Sequence, residues 1–196
     1  MVKEICLNDI KGIEIIGGQI TSRIEEKDES KVTEVAKVLI PKAIERGRVN
    51  HDNLGTINIS EELDSRRLTR VGDIVMKLST PYESCLITKE DEGLLVPSFC
   101  VIFRFDESCE INKSYLVAFL NSKHCESQIK ALVSGTTMPI LSTGTVRKIN
   151  VVIPEVEKQE QMGIDFIKTV LKEKLLKKII ELEYEKINSE IYEMME

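Results

Sequence analysis

The sequence predicts an α+β protein: a mixed, β-rich body followed by one long C-terminal α-helix. Three observations predict it. Short β-branched runs recur through residues 1–154 and are punctuated by Gly and Pro. The last of them, Ile149 to Ile153, closes on Pro154, whose missing N–H and fixed φ suit a strand end. Glu155, Glu157 and Glu160 then complement a helix dipole, and up to Met195 no breaker except Gly163 interrupts the helical pattern.

In chain order, Ile5, Leu7, Ile10, Ile13, Ile15 and Ile16 predict a strand–turn–strand start that ends at Gly17-Gly18. Residues 25–34, EEKDESKVTE, read as a charged, solvated loop. Val35 to Ile40 is an apolar run closed by Pro41. Two short strands are predicted around Arg46-Gly47-Arg48, with Ile57 and Ile59 alternating afterwards. Gly72-Asp73 reads as a tight turn, with Asp73 capping it, into a strand whose Ile74, Met76 and Leu78 point inward. Lys77 and Ser79 then point the other way. Val101, Phe103 and Phe105 share a core face opposite Arg104. Residues 112–135 predict one amphipathic helix, started by Asn112 or Ser114 and ended at Gly135. A polar loop, Ser134 to Pro139, has no helical period.

Composition narrows the function. Five scattered cysteines without a C-x-x-C argue for reduced thiols in a cytoplasm. His51 and His124 stand far apart, so no metal pattern can be drawn and no cofactor is expected. No apolar run approaches 18 residues, which argues against membrane insertion. The net charge of −6 is unlike a simple nucleic-acid binder, so any phosphate contact has to come from local clusters. No N-P-P-[FYW], no G-x-x-x-x-G-K-[ST] and no G-x-S-x-G occurs, which leaves methyl transfer, nucleotide hydrolysis and serine hydrolysis without a motif.

The run SGTTMPILSTGTVRKINVVIPEVEKQEQ, residues 134–161, resembles the end of a target recognition domain in DNA-specificity subunits of type I restriction-modification systems. Those domains end in a Gly/Ser/Thr loop, a hydrophobic strand and a Pro-Pro-Leu-x-Glu-Gln-like junction into a long spacer helix. Pro154 and Gln159 match that junction, while Glu155, Val156 and Lys158 depart from it. The opening strand and Gly, the segment around Arg46, the Gly72-Asp73 strand and the helix before the polar loop follow the same order. The resemblance thus covers most of the chain. It implies a target recognition domain over 1–154 and a spacer or dimerisation helix over 155–196.

What the resemblance implies about function is a specificity subunit with no catalysis of its own. It would bind double-stranded DNA and dock methylation subunits, and through them a restriction subunit. DNA contacts are expected from Arg46, Arg48, Asn50 and Asn53, from Lys77, Ser79, Thr80 and Tyr82, and from Gly135, Thr136 and Thr137. Arg can fork onto guanine and Asn can pair with adenine. A second reading stays open: a structural adaptor that works through its helix without binding DNA.

The helix over 157–195 would be about 58 Å long. Ile180, Tyr184, Ile187, Ile191 and Met194 make a heptad seam, and Ile164, Ile167, Leu171, Leu175, Ile179 and Leu182 make a second run that drifts around the helix. Together they read as one broad apolar face rather than a narrow seam, and such a face requires a partner helix. Family subunits hold two recognition domains and two antiparallel helices. This chain has one of each, so a second half-subunit, most simply a second copy, is the expected partner.

Overall fold

The computed structural model describes residues 3–133 and 140–195. The chain is β-rich up to Ile153 and then enters a 38-residue helix. The strands are β1 (Lys3–Cys6), β2 (Ile13–Gly17), β3 (Glu34–Val38), β4 (Ile44–Glu45), β5 (Arg48–Val49), β6 (Gly55–Ile59), β7 (Ile74–Lys77), β8 (Ser84–Leu86), β9 (Cys100–Phe105) and β10 (Asn150–Ile153). The helices are α1 (Lys113–Leu120), α2 (Lys123–Leu132), α3 (Thr143–Val146) and α4 (Val156–Glu193).

A four-stranded antiparallel sheet, ordered β2-β9-β7-β8, forms the centre. One face carries Ile15, Ile74, Met76, Val101 and Phe103, packed against Leu116, Leu120, Ile129 and Val151 from the helical side. The other face carries Ile16, Val75, Cys85 and Ile102, packed against Leu39, Ile44, Val49 and Val96. Both faces of β7 are therefore dry. The expected alternation of Ile74, Met76 and Leu78 holds, but the opposite face is covered too: Lys77 is only 7% exposed, because a second layer from residues 39–49 and 94–96 packs on that side of the sheet.

The predicted opening strands exist but do not form a hairpin. β1 pairs with β10, joining the two ends of the body, and β2 pairs with β9. β3 pairs with β6, and β4 with β5. The single helix expected over 112–135 is two helices. Asn112 caps α1 by accepting from Tyr115 N at 2.9 Å, and Ser122 caps α2 by accepting from Cys125 N at 3.1 Å. Asn121 sits between them and turns its amide back to the sheet. Gly135, proposed as the helix stop, lies outside the described residues.

Asp73 does cap its turn, accepting from Arg70 N at 2.9 Å. Its two oxygens also take a forked contact from Arg104, at 3.1 and 2.6 Å. Arg104 donates further to Leu68 O at 2.8 Å and Arg66 O at 3.1 Å. One buried carboxylate and one guanidinium thus tie β9 to the turn before β7.

The junction into α4 is built on Gln159, which is 4% exposed. Its Oε1 accepts from Asn112 N at 3.0 Å and its Nε2 donates to Pro154 O at 2.9 Å. One turn later Gly163 lets α4 lie directly on α1. A Cβ there would stand 2.8 Å from Ser114 Cβ and 3.0 Å from Asn112 Oδ1. Phe166 and Val170 then reach Gly47, in the β4–β5 turn. From Leu171 onward every described residue of α4 is exposed.

Candidate nucleic-acid interface and exposed helix

Ser84, fully buried, is the point where the candidate loops meet. Its carbonyl accepts from Gly47 N at 2.8 Å, which holds the Arg46 turn against β8. Its backbone N–H donates to Asn121 Oδ1 at 3.1 Å, and Asn121 Nδ2 returns to Ser84 O at 2.9 Å. The 79–83 loop leads directly into this strand. Leu141 N donates to Leu78 O at 2.7 Å, so the chain just after residues 134–139 passes the same strand end. Gly135, Thr136 and Thr137 themselves lie outside the described residues.

Within this cluster the expected contact residues divide into two groups. Arg46 and Thr80 are exposed, and Asn53 and Ser79 are half-buried. Arg48 is folded onto Glu45. Asn50 is the cap of a short turn: it accepts from Asp52 N at 3.1 Å and donates to Glu45 at 2.7 Å. Lys77 donates to Glu83 at 2.7 Å from inside the sheet, and Tyr82 is 8% exposed. Lys77 and Tyr82 therefore belong to the packed body, not to its outer face.

Lys123 and Lys130 on α2 are exposed residues that sequence reasoning passed over. The carboxyl of Glu126 is held below its usual range, first by the hydrogen bond and charge of Lys130, then by Lys123 and Arg46. Arg46 from the β4–β5 turn and two lysines from α2 thus share one patch. The signal was available: Lys123 and Lys130 stand seven residues apart, on one face of an amphipathic helix.

The other arginines are mostly committed internally. Arg67 donates to Gly17 O at 3.1 Å and Gly18 O at 2.6 Å, and Arg147 donates to Ile15 O at 2.7 Å. Arg66 pairs with Glu14 at 2.5 Å. Among the described residues Arg23, Arg46 and Arg70 are exposed and make no ion pair within 4.0 Å. No group of three or more His, Cys, Asp or Glu is placed to hold a metal among the described residues.

The exposed part of α4 carries the apolar residues read from the sequence. Ile164, Leu171, Leu175, Ile179, Ile180, Leu182, Tyr184, Ile187, Ile191 and Met194 are all 49% exposed or more, and Ile167 is half-buried. At 3.6 residues per turn, the Ile164–Leu182 run and the Ile180–Met194 seam face directions roughly 150° apart. They are two sides of one helix rather than one broad face. No helix among the described residues is long and apolar enough to cross a membrane.

A β-rich body whose loops gather at one end, mounted on a long projecting helix, is the architecture of a recognition domain on a spacer. The sequence model of the type I restriction modification DNA specificity domain matches residues 24–184, and the chain belongs to that family. The fold superposes on the HsdS subunit from Thermoanaerobacter tengcongensis with a TM-score of 0.63 and 14% identity, over 91% of this chain and 44% of that one. It also superposes on a chain from work on complex assembly and conformational transition of the type I R-M system. That match has a TM-score of 0.61 and 16% identity, over 88% of this chain and 42% of that one. The chain thus spans less than half the length of these structural relatives. No curated protein matches it.

Proposed function

We propose that this chain is the DNA-reading half of a type I specificity subunit. One recognition domain, 1–154, reads one half-site of double-stranded DNA. The helix, 155–196, joins it to a second half-subunit, most simply another copy, and offers its remaining apolar side to methylation subunits. A restriction subunit is then recruited through those. The chain contributes no catalytic group, and the complex works in the cytoplasm. The observation that carries this reading is the continuity of the family match, which runs from the β-rich body into the exposed stripe of α4.

The DNA-facing surface we assign to Arg46, Asn53, Ser79 and Thr80, with Lys123 and Lys130 beside them; Gly135, Thr136 and Thr137, expected in it from the sequence, lie outside the described residues. Arg48, Asn50, Lys77 and Tyr82 support it from behind. A pair related by two-fold symmetry reads the same half-site twice, so the target is an interrupted palindrome. The test is fluorescence anisotropy of a labelled random duplex with the chain and its methylation subunit, over a range of salt. Phosphate neutralisation requires binding that weakens as salt rises. Arg46→Ala should weaken binding by about 1–3 kcal/mol if the side chain forks onto a base. Absence of salt-dependent binding would favour the adaptor reading, to which the internal commitment of most arginines lends weight.

A further inference from the structure

The charges on α4 are segregated along its length. Lys168, Lys172, Lys174, Lys177 and Lys178 share the stretch 168–178 with Glu173 alone. Glu181, Glu183, Glu185, Glu190 and Glu193 share the stretch 181–193 with Lys186 alone. All of these side chains are exposed. Some are used within the chain: Lys177 contacts Glu173 at 3.1 Å and Glu45 at 3.8 Å, Lys178 contacts Glu181 at 3.4 Å, and Lys186 contacts Glu190 at 3.6 Å. Among the described residues, Lys168, Lys172, Lys174, Glu183, Glu185 and Glu193 make no ion pair within 4.0 Å. The centres of the two stretches are 14 residues apart, about 21 Å along the axis, and the point midway is Ile180.

We propose that α4 is a self-recognition helix whose orientation is set by charge: a second copy pairs with it head to tail, lysine stretch against glutamate stretch, centred at Ile179-Ile180. The inference rests on the helix pairing proposed above and adds what selects the partner and its direction. Apolar burial supplies the drive to associate but is indifferent to direction. In a parallel pair five lysines face five lysines and five glutamates face five glutamates, which is penalised on both halves. In the antiparallel pair centred at Ile180, Lys177 comes level with Glu183, Lys172 within two residues of Glu190 and Lys168 within one of Glu193, against one like pair, Lys174 with Lys186. Reversing the partner also brings each helix's Ile164–Leu182 run level with the other's Ile180–Met194 seam along the axis; because the two runs face opposite sides, one partner helix covers one of them and the other stays open. A different half-subunit with the same polarity would be accepted equally. One with evenly mixed charge would gain less.

The test uses the full chain. Sedimentation velocity measures association of the wild type between 50 mM and 1 M salt. The dimer should weaken about tenfold over that range, because exposed pairs are screened. E181K/E183K/E190K makes both halves basic, and K168E/K172E/K174E makes both halves acidic. Each variant alone should fall to monomer at concentrations where wild type is dimeric, and a 1:1 mixture of the two should recover a heterodimer. Circular dichroism confirms that each variant keeps its helix. In a mixture of ¹⁴N- and ¹⁵N-labelled wild type, carbodiimide should link the 168–178 lysines to the 181–193 carboxylates between chains. A wild-type dimer indifferent to salt and to both charge variants, or cross-links that report parallel strands, would overturn the charge rule and leave pairing intact. A wild type that stays monomeric would overturn the pairing as well.

Discussion

Gly163→Ala sets two effects against each other, and the structure decides between them. On an isolated helix the change stabilises by about 1 kcal/mol, because Ala is a better helix former than Gly. At this position the new methyl would lie 2.8 Å from Ser114 Cβ, 3.0 Å from Asn112 Oδ1 and 3.0 Å from Tyr115 N. Carbon atoms rest near 3.5–4.0 Å, so the two helices must separate by close to an ångström. Ser114 Cβ and Tyr115 N cannot swing aside, and Asn112 Oδ1, though a side-chain end, is pinned by the α1 cap. Asn112 Oδ1 accepts from Tyr115 N at 2.9 Å and Asn112 N donates to Gln159 Oε1 at 3.0 Å, so shifting this residue strains two hydrogen bonds. Overpacking costs about 1–3 kcal/mol and a weakened cap adds up to about 1 more. Subtracting the propensity gain leaves a net loss of about 0–3 kcal/mol. Urea unfolding followed by circular dichroism measures it as a lower midpoint at constant slope. A Gly163→Ala chain more stable than wild type by the full propensity gain of about 1 kcal/mol would show that α4 does not seat on α1 as described.

Asp73→Ala should cost about 3–5 kcal/mol in the same assay, since it leaves the guanidinium of Arg104 buried without its carboxylate; a loss under about 1 kcal/mol would mean the pair is solvated. Gln159→Ala should cost about 1–3 kcal/mol by stranding Asn112 N and Pro154 O, with the loss read from the urea midpoint. Burial pushes the thiols of Cys100 and Cys125 up to about 12, and Cys85 higher still, so iodoacetamide at pH 8 should spare these three until urea unfolds the chain. The same groups fix a sign for pH. Their folded values lie above the unfolded one, so their contribution is complete at neutral pH and is lost as pH rises from about 9 towards 12. Urea midpoints that do not fall between pH 8 and 10.5 would contradict it.

The long helix and the Pro154–Gln159 junction were legible because their signals are local: a proline, a run of acids and an unbroken apolar period. The Gly72-Asp73 turn was legible for the same reason, though the partner that makes Asp73 matter, Arg104, is 31 residues away. What failed was non-local. Lys77 alternates correctly along β7, but no local pattern announces that residues 39–49 and 94–96 cover that face and that Glu83 waits beside it. The break at Asn121-Ser122 lies inside an apolar period that runs on through it, and only Ser84, on a strand far upstream, shows why Asn121 turns away. β1 and β2 were placed well enough, yet their partners are β10 and β9, a choice made by closing the body rather than by the turn between them.

The four-stranded sheet has both of its margins partly occupied, and this bears on how the protein behaves at high concentration. Along β2, carbonyls that would greet an incoming strand are occupied by side chains: Ile15 O by Arg147, Gly17 O and Gly18 O by Arg67. Along β8, the exposed ladder is taken by Gly47, which donates to Ser84 O at 2.8 Å and accepts from Leu86 N at 3.4 Å. A margin occupied in this way cannot template a foreign strand there without first giving up bonds it already has. The arginines so engaged are withdrawn from phosphate, but they keep the sheet from growing. Two such molecules crowded together therefore meet fewer free carbonyls along this sheet than an unoccupied margin would present, while the apolar residues of α4 stay bare.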